Sequence, residues 1–159
     1  MITLRRMISR MLAVAIGMSV SGHAGAIDPP GPILDAGQLA QASGQQIFEH
    51  ICQACHMPDA RGATGAGQFP ALAQDPRLAS ADYMVVTLLL GRRNMPSFRP
   101  RPDLHGFEAL THTTLSDAEI ARVVNYVRSH FGNHYRDTVS AADVAALHAA
   151  HPPAPKDSP

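Results

Sequence analysis

Cys52-Gln53-Ala54-Cys55-His56 holds the only two cysteines of this 159-residue chain, three positions apart, with a histidine directly after the second. The order C-x-x-C-H is that of a c-type haem attachment site. On one helical turn, side chains at i and i+3 share a face, so two thiols can add to the two vinyl groups along one porphyrin edge. His56 then falls beneath the ring, where its imidazole can serve as the proximal ligand to iron. Other uses of the same residues fit less well. A dithiol redox site of the thioredoxin kind needs a βαβ setting, and no strand-like alternation precedes Cys52. A structural zinc site needs four ligands, whereas here Cys55 and His56 are adjacent and no further cysteine exists. A plain disulfide would leave His56 without a part.

A haem held by His56 needs its other face specified. Histidine and methionine together raise the reduction potential and close the coordination sphere for electron transfer, because the soft thioether favours ferrous over ferric iron. Outside the first 26 residues the methionines are Met57, Met84 and Met95. Met57 is one Cα step from His56 and cannot cross to the opposite face. Met84 sits in an almost wholly apolar stretch and suits the core. Met95, followed by Pro96 in a proline-punctuated loop, is the expected distal ligand. His105 and His112, both among polar loop residues, are the alternatives. Arg92, Arg93, Arg99 and Arg101 flank Met95; one or two guanidinium forks could hold a haem propionate, and the others could steer an acidic partner.

Several elements must position these groups. From about Gln41 to Ile51 the pattern is helical, with Ile47, Phe48 and Ile51 apolar, and this helix delivers Cys52. Residues 58–74 are rich in Gly and Pro, which is loop chemistry; Phe69 and Leu72 interrupt the loop and could plug the apolar side of the ring. Ser80 is an N-cap for a helix from Ala81 to about Leu90, stopped at Gly91. Ser116 and Glu119 form a capping box for a helix whose Ile120, Val123, Val124, Val127 and Phe131 make one apolar stripe, with Gly132 as the stop. A further short helix is expected from Ala141 to about Ala150, beginning at Ser140 with Asp143 at N3.

Length allows one domain with a proper core. Aromatic residues make up 5% and tryptophan is absent, lean for a core unless a large apolar cofactor completes it. Met1 to Ala26 reads as a cleaved signal peptide: Arg5, Arg6 and Arg10 precede the apolar run Met11–Val20, and Ala24-Gly25-Ala26 fits the cleavage rule. The run is too short to span a bilayer. Removing it leaves 10 basic against 13 acidic residues, and nothing suggests nucleic-acid binding. Leu4 stands where a twin-arginine signal usually has Ser or Thr, which favours the general secretory route and a periplasmic address. The expected organisation is a signal peptide (1–26), a proline-rich extended leader (27–40), a haem domain (41–135), a short C-terminal helix (136–151) and a disordered tail (152–159).

With these residues placed, the chain from about Ala42 to Gly132 resembles class I cytochromes c. The resemblance implies an all-α fold, three to four main helices around one covalently bound haem. It also implies a crossing of the first and last helices, matched here by Gly44 and Phe48 on one side and Tyr126 on the other. Gly67-Gln68-Phe69-Pro70-Ala71-Leu72 is similar to that family's proline loop, and Pro70 matches the residue whose carbonyl accepts a hydrogen bond from the proximal imidazole. The stretch from Tyr126 to Asn133, followed by Val139 to Val144, resembles the closing region of cytochrome domains that serve periplasmic dehydrogenases. These resemblances imply a mono-haem electron carrier rather than an enzyme, working with a periplasmic dehydrogenase and passing electrons toward a terminal oxidase. The competing expectation is an open-site haem protein with ligand-binding or peroxidase-like activity, which would require Met95 to be absent from iron.

Overall fold

In the computed structural model, residues 34–65, 67–101, 105 and 112–152 are described. The expected signal peptide and the tail from residue 153 lie outside them. The chain opens with α1 (Ala36–Gln41), whose capping box joins Asp35 and Gln38 by bonds of 2.8 and 2.9 Å. The reading of residues 27–40 as wholly extended therefore fails at its end. Pro29, Pro30 and Pro32 cannot continue a helix, but they stop short of Asp35, and the Asp35–Gln38 pair then starts one.

A second capping box, Ser43 with Gln46, begins α2 (Gly44–Ile47). The backbone then widens into one π-helical turn over Phe48–Cys52, with the Gln53 N–H donating to the Phe48 carbonyl, before α3 (Gln53–His56). Helical geometry thus runs unbroken from Gly44 to His56, and the wide turn sits directly ahead of the cysteine pair. After the motif comes a two-stranded hairpin, β1 (Ala63–Thr64) and β2 (Gln68–Phe69), antiparallel with Ala63 opposite Phe69. A 3₁₀ turn over Pro76–Ala79 leads to α4 (Ala81–Leu90), capped by the Ser80 hydroxyl. Among the described residues two more helices follow, α5 (Asp117–Ser129) and α6 (Ala141–Ala150), each with a serine capping box as the sequence predicts.

The core forms where α2, α4 and α6 lie against α5. The stripe Ile120, Val123, Val124 and Val127 is fully buried, facing Ile47 and Phe48 from the N-terminal side and Val85, Leu88 and Leu89 from α4. Gly44 makes the crossing of α2 and α5 possible. A Cβ there would lie 2.2 Å from the Arg122 carbonyl oxygen and 2.7 Å from the Tyr126 Cβ, so only hydrogen fits. Phe48 then meets Tyr126 and Phe131 at ring separations of 6.0 and 4.7 Å. Helix α6 closes the back, with Val144 fully buried and Asn125 pairing both backbone groups of Val139 at 2.8 Å.

A charged side chain is completely enclosed in this core. Arg128 is completely buried, yet its guanidinium donates to the Leu78, Ala79 and Asp137 carbonyls and to both Asp137 carboxylate oxygens, at 2.7 to 3.2 Å. It also lies over the Tyr135 ring. A buried charge is tolerated only when so fully partnered. Here it ties the 3₁₀ turn, the end of α5 and the strand-like passage to α6 into one unit.

Candidate functional site

The end of α3 delivers Cys52, Cys55 and His56, and Met57 at φ +65° turns the chain away from them. Both cysteines are free thiols; Cys52 is half-buried and Cys55 exposed. Burial, with a smaller contribution from Cys55, pushes the Cys52 thiol up to about 12, so it is held in its neutral form. No disulfide joins the pair.

His56 is buried, and its Nδ1 lies 2.9 Å from the Pro70 carbonyl oxygen. A carbonyl can only accept, so Nδ1 carries the proton and Nε2 keeps the free lone pair, the form in which imidazole binds a metal. The loop after the motif is built to bring Pro70 to this position. The Gly62 N–H donates to the His56 carbonyl at 3.0 Å, and the Ala60 carbonyl accepts from Leu72 and Ala73 at 2.7 and 2.9 Å. Gly62 stands at φ +68°, and a Cβ on it would lie 2.1 Å from the Phe69 carbonyl oxygen and 2.7 Å from the Pro70 carbonyl carbon. The outgoing and returning strands of the loop are packed as closely as backbones can be.

The far side of the loop is tied to the end of α5 and the turn that follows it. The buried Asn133 side chain donates to the Leu72 and Val127 carbonyls, both at 2.9 Å, and accepts from the Asp75 N–H at 3.2 Å. The Gln74 N–H donates to the Phe131 carbonyl at 3.2 Å. Buried Asp75 also receives the Arg77 guanidinium at 2.8 to 3.1 Å. Burial pushes the Asp75 carboxyl up, but the hydrogen bonds and charge of Arg77 together outweigh it and hold the group below the usual carboxylate range.

Met95 sits in a tight reversal beyond α4. Arg92 and Met95 exchange backbone hydrogen bonds of 3.0 Å in both directions, and Gly91 at φ +72° allows the Met95 carbonyl to pack where a side chain would otherwise stand. Ser97 donates to the Leu89 carbonyl at 2.6 Å, and the Phe98 N–H to the Leu88 carbonyl at 2.9 Å. The reversal is thereby fastened to the end of α4, and the Met95 side chain is half-buried against the core. Leu72 is likewise half-buried against the core, while Phe69 is half-buried within the hairpin and Pro70 is exposed. Met84 lies in the core, and His105 and His112 are exposed.

The arginines flanking Met95 do not act alike. Arg92 donates to the Tyr83 hydroxyl and lies over its ring, and Arg93 is exposed. Arg99 is buried, with one nitrogen donating to the His151 carbonyl, while Nε and Nη1 have no hydrogen-bond partner among the described residues. Sequence reasoning did not single out Asn133, Gly62 or Arg128 for these tasks. Only Arg128 left a trace, as a charge four residues after Val124 on the edge of an apolar stripe.

A covalent haem fits these residues on the chemistry of the donors: two reduced thiols one turn apart, and an imidazole whose unprotonated nitrogen is fixed by a backbone carbonyl. Comparison with known proteins agrees. Residues 41–131, more than half of the chain, match the family model described as cytochrome c. The cytochrome c subunit of a quinone alcohol dehydrogenase from Gluconobacter oxydans (strain 621H) is 33% identical over 112 residues, covering 66% of this chain and 22% of that protein. The cytochrome c subunit of gluconate 2-dehydrogenase from Pantoea cypripedii is 32% identical over 111 residues, 66% of this chain and 24% of that one. The FixP subunit of a cbb3-type cytochrome c oxidase from Bradyrhizobium sp. (strain ORS 278) is 37% identical over 113 residues, 70% and 37%. The chain therefore spans between 22% and 37% of the length of these relatives. With the helical architecture, the family match and the cysteine–histidine turn in agreement, the chain belongs to the cytochrome c family, as a class I c-type cytochrome whose cofactor is covalently bound haem c.

Proposed function

We propose that the chain is a mono-haem carrier of single electrons and not itself an enzyme. Cys52 and Cys55 hold the cofactor by thioether bonds, His56 Nε2 is the proximal ligand, and Met95 is the distal one. Bound haem c supplies an iron that takes up and gives up one electron. The observation that carries the reading is the His56–Pro70 bond of 2.9 Å, because it fixes which ring nitrogen is left for the metal. The half-buried Met95, fastened to α4, supports it as distal ligand over the exposed His105 and His112. Phe69 and Leu72 are assigned to the apolar margin of the cofactor.

The redox partners we assign are a dehydrogenase as donor and a terminal oxidase as acceptor, in the periplasm, reached through the signal peptide at 1–26. The relatives named as dehydrogenase subunits and an oxidase subunit support this. Among the described residues no helix is long and apolar enough to cross a membrane.

Absorption spectroscopy of the purified holoprotein tests the ligand set. The oxidised protein is expected to show the weak far-red band of methionine bound to ferric haem, and Met95→Ala is expected to abolish it. Rapid binding of cyanide or carbon monoxide by the wild type would overturn the carrier reading in favour of an open site.

A further inference from the structure

We propose that Asn133 is a positioning residue for the axial imidazole: by holding the proline loop against the end of α5, it keeps the Pro70 carbonyl in register to accept the His56 Nδ1–H. The inference rests on His56 being the proximal ligand.

The geometry points to this role because a single buried amide uses three of its hydrogen-bonding positions on three backbone groups, two in the segment 72–75 and one in α5. Its nitrogen donates to Leu72, two residues beyond Pro70, and to Val127 in α5, while its oxygen accepts from Asp75. On the other side the loop is fixed to Ala60, through Leu72 and Ala73. Leu72 is thus the point where the two anchors meet. Pro70 itself is exposed, so it is held by its neighbours and not by packing of its own ring.

The consequence is electronic. An axial imidazole whose other nitrogen donates to a carbonyl is the more basic ligand, and a more basic ligand favours ferric iron. Slackening the loop weakens that bond and moves the equilibrium toward ferrous. Removing the amide also takes away the partners it gives the Leu72 carbonyl and the Asp75 N–H, so some loss of stability accompanies the change.

Asn125 provides the control. It too is an asparagine whose amide clamps a backbone segment, here from within α5 and through both polar groups of Val139, with no bond to the proline loop. Holoprotein carrying Asn133→Ala is expected to show about a tenfold higher ferrous-to-ferric ratio at a fixed ambient potential, a shift of about 59 mV for a one-electron couple. In proton NMR of the reduced protein, the His56 Nδ1 proton is expected to exchange with solvent at least about tenfold faster than in wild type. Asn125→Ala is expected to lower the melting temperature while leaving both readouts at wild-type values. If Asn133→Ala leaves potential and exchange unchanged, or if Asn125→Ala moves them equally, the role is general stabilisation and the proposal is overturned. Should Asn133→Ala not accumulate as holoprotein, Asn133→Ser retains one hydroxyl donor and is expected to show a smaller shift in the same direction; no shift there counts against the proposal equally. Failure of the underlying ligand assignment is distinguished by His56→Gly, which must abolish the low-spin spectrum if that assignment holds.

Discussion

On the proposed ligand set, replacing Met95 by alanine removes a soft thioether and leaves His56 in place. The reduction potential is expected to fall by about a quarter of the ~0.8 V span that axial ligation covers, measured by spectroelectrochemical titration alongside the far-red band. Asp75 bears on stability instead. Its carboxyl is held below the ordinary value by Arg77, and the Asp137 carboxyl is lowered likewise by the Arg128 guanidinium. Both groups therefore contribute stability that is complete above the unfolded value of about 3.9 and is lost as pH falls through the lower folded values. Thermal unfolding followed from pH 6 downward is expected to show a steep fall in melting temperature below about pH 4, and Asp75→Asn, already lacking that contribution, should show a shallower one. An unchanged slope in the variant would remove Asp75 from the acid transition. At this scale the sequence was informative where chemistry is local. Cys52, Cys55 and His56 stand out by spacing, and Met95 is proposed by elimination among three methionines. Asn133 was silent, because its partners Leu72 and Asp75 lie 61 and 58 positions away and no short pattern encodes such a separation.

Helix α5 is the element against which the others are placed, and two of its contacts can be broken selectively. Gly44→Val forces a side chain into the space occupied by the Arg122 carbonyl and Tyr126, and is expected to cost about 2–3 kcal/mol by analogy with overpacked cores, read from denaturant midpoints. Arg128→Met leaves the Leu78, Ala79 and Asp137 carbonyls without their donor and is expected to cost about 3 kcal/mol or more; a loss below about 1 kcal/mol would show that water replaces the guanidinium there. The helix starts at Ser80, Ser116 and Ser140 were legible because a capping hydroxyl acts within three residues. The start of α1 used the same code at Asp35 and Gln38 but was masked by the prolines before it. The π-helical turn at Phe48–Cys52 and the two-residue strands were not legible: each depends on how neighbouring segments press on the backbone, and neither leaves a period in the sequence.

On the scale of the whole molecule, α6 lies beyond the family match that ends at residue 131. Its buried residues, Val144 and half-buried Leu147, with Val139 just ahead of it, back α4 and α5. A chain ending after Thr138 keeps Asp137 for Arg128 and is expected to lose a few kcal/mol of stability, from about 1.5–3 kcal/mol per buried aliphatic side chain less the ordering cost. Its haem spectrum is expected to stay that of the full chain, and a changed spectrum would mean that α6 reaches the cofactor's surroundings.

Position 62 has the narrowest clearance in the loop that follows the cysteines, and the contact it permits ends at the carbonyl facing the imidazole. A methyl group introduced by Gly62→Ala has nowhere to go but into the returning segment, at a backbone angle that disfavours any side chain. With His56 as the proposed ligand, the electron affinity of the iron is expected to depend in part on a residue that offers no side chain at all. A ladder of substitutions from hydrogen to methyl to isopropyl at this one place would act as a mechanical adjustment screw on the cofactor.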